Sequence, residues 1–112
     1  MEKRVLVVEP SRDLRELICE ILRRLHFDVD GVSDTYKVVS AKNYVLAIAD
    51  LPIGEEPDVF ADRITRSMPS LGKHLLLMSA APEDCEDCQA DMLVKPFDRQ
   101  SLIDNVARIS AR

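Results

Sequence analysis

Residues 44–50 read Y-V-L-A-I-A-D, an uncharged apolar run closed by a carboxylate. A short run without polar alternation is what a strand looks like when both of its faces are covered, and such strands belong to parallel sheets flanked by helices. The strand expected over Tyr44–Ala49 therefore lies deep in a sheet and delivers Asp50 to its C-terminal end. The turn residues Pro52, Gly54 and Pro57 follow directly, so the chain leaves the sheet there.

Working outward, Arg4–Val8 (R-V-L-V-V) repeats the pattern before Glu9-Pro10 and predicts a central strand. Beyond it, Leu14, Leu17, Ile18, Ile21, Leu22 and Leu25 recur at three- and four-residue steps. This periodicity predicts a first helix whose apolar stripe is core, with Ser11 as N-cap and Asp13 near the positive end of its dipole. Phe27–Val32 alternates with acidic positions, as an edge strand does. A short helix is expected over Thr35–Lys42. After the central run, Asp58–Met68 places Val59, Phe60, Ile64 and Met68 on one stripe, with Pro57 suited to the first helical position. His74–Met78 predicts a fourth strand ending at Ser79, and Pro82–Gln89 at most a short helix. Met92–Val94 predicts a fifth strand ending at Lys95-Pro96. Asp98 would cap a last helix carrying Leu102, Ile103, Val106 and Ile109. Five strand–helix alternations call for an α/β fold with a parallel sheet, helices on both faces and right-handed crossovers. No repeat or linker divides the 112 residues, so one domain over 1–112 is expected.

Composition narrows the function. With 46% hydrophobic and 31% charged residues the chain is an ordinary globular one, and a net charge of -5 disfavours nucleic acid and anionic lipid as partners. No apolar run reaches the roughly 20 residues of a membrane span, and there is no signal-peptide pattern. A cytoplasmic protein is expected, in keeping with three cysteines, Cys19, Cys85 and Cys88, that form no even disulfide set. The Cys85–Cys88 spacing suits zinc only with two further ligands, for which Cys19 and His74 are the remaining candidates.

In open parallel sheets, ligands bind beyond the carboxyl ends of the strands. Four reactive side chains collect there: Glu9, Asp50, Ser79 and Lys95. Carboxylates can hold Mg²⁺, a hydroxyl can donate to a phosphoryl oxygen, and an ammonium can neutralise its charge, with Asp50 as nucleophile. Each residue also has a plainer reading. Asp50 and Ser79 are common turn residues, and Lys95 could form a structural ion pair with Asp50.

Taken in order, V-L-V-V-E-P-S-R-D-L-R-E-L-I, L-A-I-A-D-L, L-L-L-M-S-A and M-L-V-K-P-F resemble the response-regulator receiver family over nearly the whole chain. The resemblance implies a flavodoxin-like five-stranded sheet of order 2-1-3-4-5 and a cis Lys95-Pro96 bond. It implies Asp50 as phosphoacceptor, Ser79 as phosphoryl hydrogen-bond donor and Lys95 as charge partner. It also implies a histidine kinase or phosphotransfer protein as donor and signalling by protein contact to a downstream protein, and it leaves a homodimer open. Such a chain is not an enzyme beyond slow self-dephosphorylation.

Three departures qualify this. The acidic pair usual after the first strand is Glu9-Pro10, so Mg²⁺ would rest weakly on Asp50, Glu9 and the Pro52 backbone carbonyl. The aromatic switch position is Met92, which has no hydroxyl to relocate. Only fifteen residues separate Ser79 from Lys95. These features motivate an alternative, a pseudo-receiver interaction module that works without phosphorylation. A nucleotide-binding enzyme on the same architecture is disfavoured, since Gly31, Gly54 and Gly72 form no phosphate-cradling motif. The chain ends soon after its last expected helix, so its effect is expected to pass through another protein.

Overall fold

The chain runs β1 (Arg4–Val8), α1 (Arg12–Arg24), β2 (Asp28–Val32), β3 (Leu46–Asp50), α2 (Pro57–Ser67), a 3₁₀ turn (Pro69–Leu71), β4 (Leu75–Ser79), β5 (Asp91–Val94) and α3 (Arg99–Ser110). This computed structural model describes residues 3–35, 43–81 and 87–112. All pairings are parallel and the sheet order is β2-β1-β3-β4-β5.

The apolar runs are uninterrupted because alternate residues feed two separate cores. Val5 and Val7 join Ile48 and Met78 under α1 and α3, where Ile18, Leu22, Leu102 and Ile109 close the layer. Leu6 and Val8 face the other way with Ala49 and Leu77, against Phe60 and Ile64 of α2. The first helix is capped as expected, Ser11 Oγ accepting the Leu14 N–H at 3.5 Å. Asp98 Oδ1 accepts the Ser101 N–H at 2.7 Å at the start of α3, and Pro57 opens α2.

Several boundaries differ from expectation. Asp50 and Ser79 are the last residues of β3 and β4 rather than the residues after them, whereas Tyr44, Phe27 and His74 precede their strands. Tyr44 is nevertheless buried, its hydroxyl donating to Asp30 Oδ2 of the edge strand at 2.9 Å. Burial and that bond push the Tyr44 phenol up to about 12. Two members of the first helical stripe are not core, since Leu17 is 52% and Leu25 38% exposed. Val59, expected on the buried stripe of α2, is 55% exposed because it lies off the Phe60–Ile64 line. The helix expected over Thr35–Lys42, apart from Thr35, and the first part of that over Pro82–Gln89 lie outside the described residues; 87–89 are not helical. No helix among the described residues is long and apolar enough to cross a membrane.

Candidate functional site

Parallel register brings the strand ends to a common rim: Asp50 pairs with Met78, and Ser79 with Val94. The ladder continues into the residues that follow, the Lys95 N–H donating to the Ser79 carbonyl at 2.7 Å and the Glu9 N–H to the Val32 carbonyl at 3.0 Å. Backbone bonds thus fix where Lys95 and Glu9 leave the sheet.

Three of the four expected residues meet there. The Lys95 ammonium donates to Asp50 Oδ1 at 2.7 Å and also to Glu9 Oε1. Glu9 is buried, at 2% exposed, and its second carboxylate oxygen accepts the Ser11 N–H at 3.0 Å. Its backbone carbonyl accepts from Arg15 Nη1 at 2.8 Å. Two carboxylates therefore share one ammonium in a partly dry corner. Burial raises the Asp50 carboxyl above the ordinary aspartate value and the Glu9 charge adds to it, with Lys95 offsetting only part. Burial disfavours the Lys95 charge, but the bonds to Asp50 and Glu9 outweigh it and hold the amine above its usual value. Lys95 is a permanent cation at neutral pH. The Lys95-Pro96 bond that follows is cis, as the resemblance implied.

Ser79 is buried beside this triad but turned to its own loop: Oγ accepts the Ala81 N–H at 3.0 Å and reaches the Ala81 carbonyl at 3.4 Å. The Pro52 carbonyl accepts the Glu55 N–H at 3.1 Å in the turn after β3. Pro10 and Asp13 are exposed. Met92 packs partly buried on the α2 side of the sheet. Next to Lys95, a groove of ≈ 370 Å³ is lined by Leu14, Leu17, Ile21, Pro96 and Phe97, so the exposed Leu17 is the rim of an apolar surface that starts at the triad.

The zinc option finds no support among the described residues. Cys85 lies outside them, Cys19 is core, the His74 ring bonds the Val45 carbonyl at 3.1 Å, and no three His, Cys, Asp or Glu side chains are grouped to hold a metal. Sequence reasoning missed two supports, one at the rim and one at the entry of β5. Arg15 reads as one more exposed helix charge, and Asp58 as a first-turn acid, yet Asp58 accepts the Gln89 N–H at 3.0 and 3.2 Å and the Ala90 N–H at 3.0 Å.

No family model matches the sequence, and no curated protein matches it. Solved structures do match, over the full length. A response regulator from Thermotoga maritima is 21% identical with a TM-score of 0.81, covering 100% of both chains. The receiver domain of a sensor histidine kinase from Pseudomonas aeruginosa, crystallised with a magnesium ion coordinated in its active-site cleft, is 26% identical with a TM-score of 0.75, again over 100% of both. The chain folds as a response-regulator receiver domain. Another receiver-fold relative, a Thermotoga maritima response regulator in complex with Mg²⁺ and beryllofluoride, is 25% identical with a TM-score of 0.75 over 96% of this chain and 98% of that one.

Measured against the needs of a magnesium ion, the rim of this receiver-like fold offers the right kind of donor but few of them. Asp50 is an oxygen ligand at the rim, whereas both Glu9 oxygens already hold a donor and Pro10 contributes no carboxylate.

Proposed function

We propose that Asp50 accepts a phosphoryl group from the phosphohistidine of a histidine kinase or phosphotransfer protein, and that the domain signals by protein contact with a downstream partner. The observation that carries the reading is the Lys95 ammonium seated on Asp50 Oδ1 at 2.7 Å. A carboxylate beside a fixed cation is a nucleophile whose product charge is neutralised in advance. In the reaction, an Asp50 oxygen bonds phosphorus as the phosphorus–nitrogen bond breaks, and the electron pair returns to the donor's imidazole. Lys95 then exchanges part of its carboxylate contact for phosphoryl oxygen. The Ser79 hydroxyl leaves the Ala81 carbonyl, its weaker contact at 3.4 Å, to donate to the same group.

Mg²⁺ would rest weakly on Asp50 and the Pro52 carbonyl, and on Glu9 only once it gives up Lys95 or Ser11, and when bound would supply further neutralisation of the phosphoryl oxygens. The apolar groove beside Lys95 gives a donor protein a surface to press against within reach of Asp50. The domain is a substrate of phosphotransfer rather than an enzyme, with at most slow loss of its own phosphoryl group. A cytoplasmic setting, where its cysteines stay reduced, belongs to the same proposal.

The test is beryllofluoride with Mg²⁺, followed by amide NMR of wild type and Asp50→Asn. Saturable shifts at residues 50, 79 and 95 that vanish in Asp50→Asn are expected. Their absence at millimolar Mg²⁺ would refute phosphoacceptance and leave a module that acts without it.

A further inference from the structure

Strand β5 is four residues long and pairs on one side only, with β4. Its register is set by the ladder to β4 and by the buried Leu93 side chain, but a four-residue edge strand frays readily at its ends. Both of its ends are tied to the segment that carries Asp50. At the exit, Lys95 Nζ reaches Asp50 Oδ1 at 2.7 Å. At the entry, the Asp58 carboxylate, in the first turn of α2, accepts the N–H groups of Gln89 at 3.0 Å and Ala90 at 3.0 Å. A carboxylate at that helical position ordinarily serves the free N–H groups of its own helix. This one turns both oxygens to the lead-in of β5 instead. The stretch it holds is the abbreviated connection between Ser79 and Lys95, where 87–90 carry no helix that could brace the strand. Ala90 and Met92 pack on the α2 face, so the contact is continuous with that core.

We propose that Asp58 is a positioning residue: by holding Gln89 and Ala90 it steadies β5 against fraying and thereby keeps the Lys95 ammonium on Asp50. The effect on phosphorylation rests on reading Asp50 as the acceptor; the effect on Lys95 does not. Without the clamp the lead-in of β5 frays, and in so short a strand the loosening reaches Lys95, where a displacement of about 1 Å takes the ammonium out of hydrogen-bond reach.

The experiment compares wild type with Asp58→Ala, which removes the acceptor, and Asp58→Asn, which keeps one acceptor oxygen. Three readouts are taken: amide exchange at Gln89 and Ala90, the Lys95 side-chain ammonium resonance, visible only while an ion pair slows its exchange, and the initial rate of labelling by acetyl phosphate. Asp58→Ala is expected to lower protection at both amides about tenfold or more, to broaden the ammonium signal away and to slow labelling severalfold. Asp58→Asn should fall between. If Asp58→Ala does not fold, judged by its circular dichroism, Asp58→Asn decides on the same readouts. Lost protection with an unchanged Lys95 signal would reduce Asp58 to a loop clamp and overturn the inference. A wild type that takes no label while its Lys95 signal still responds to Asp58 substitution would refute the acceptor reading and leave the positioning role standing.

Discussion

Strand β5 carries a three-charge cluster at each end, and the two are inverted copies of one another. At its exit one ammonium, Lys95, lies between two carboxylates, Glu9 and Asp50. At its entry one carboxylate, Asp91, lies between two guanidiniums, Arg108 at 2.9 Å and Arg112 at 2.7 Å. The aspartates are equally exposed, 22% for the Asp50 side chain and 20% for Asp91, yet they shift in opposite directions. Burial raises both; at Asp50 a second carboxylate adds to it, whereas at Asp91 the bonds to Arg112 and Arg108 overcome it and hold the carboxyl below its usual value. At Asp50 burial, the largest influence, outweighs one ammonium; at Asp91 two guanidiniums outweigh burial. The entry cluster is a satisfied fastening between strand and the end of α3, while the exit cluster holds an excess negative charge at the carboxylate proposed as phosphoacceptor, which on that proposal can exchange partners.

The largest effect should come from Lys95→Met, which leaves buried Glu9 facing Asp50 with no cation between them. A loss of about 2–3 kcal/mol in urea unfolding at pH 7 is expected, whereas Asp50→Asn, which removes one of the two like charges, should be neutral or stabilising. Equal losses in both variants would show that the exit cluster is as satisfied as the entry one.

Next in size is Pro10→Asp, which supplies the carboxylate that the rim lacks. Mg²⁺ should bind about tenfold more tightly, about 1.4 kcal/mol, by NMR titration. Unchanged affinity would mean that Glu9, and not Pro10, limits the metal.

The pH dependence separates the clusters by sign. Because the folded value of Asp50 is raised, its contribution to stability is full below the unfolded aspartate value of about 3.9 and is lost as pH rises through the folded one. Asp91 is lowered, so its contribution is present above about 3.9 and is lost as pH falls through its folded value. On acidification from pH 7, urea midpoints should therefore show a gain removed by Asp50→Asn, followed at lower pH by a loss removed by Asp91→Asn. Interchanged assignments would overturn the account of the two shifts. The smallest effect is Arg108→Ala, about 0.5 kcal/mol by the same unfolding measurement, since its partner keeps a second guanidinium and the pair is exposed.

Much of this was legible in the sequence for one reason: strands buried on both faces have no polar residue until they end, so the first reactive side chain after each run marks the rim. That logic placed Glu9, Asp50, Ser79 and Lys95 on one rim, where the structure joins Glu9, Asp50 and Lys95 and bonds Ser79 to Ala81. It says nothing about partners, and the entry cluster shows why. Asp91, Arg108 and Arg112 carry no periodicity that joins a strand's first residue to a helix's last turn, and Asp58 finds its donors in a loop with no pattern of its own. Leu17 and Val59 were misread because helical spacing marks an apolar position without saying whether anything covers it.

The most direct test of the central claim is intact-mass spectrometry after incubation with acetyl phosphate and saturating Mg²⁺. The account predicts the gain of one phosphoryl group in the wild type and none in Asp50→Asn. A wild type that stays unlabelled, or a label that persists in Asp50→Asn, would contradict it.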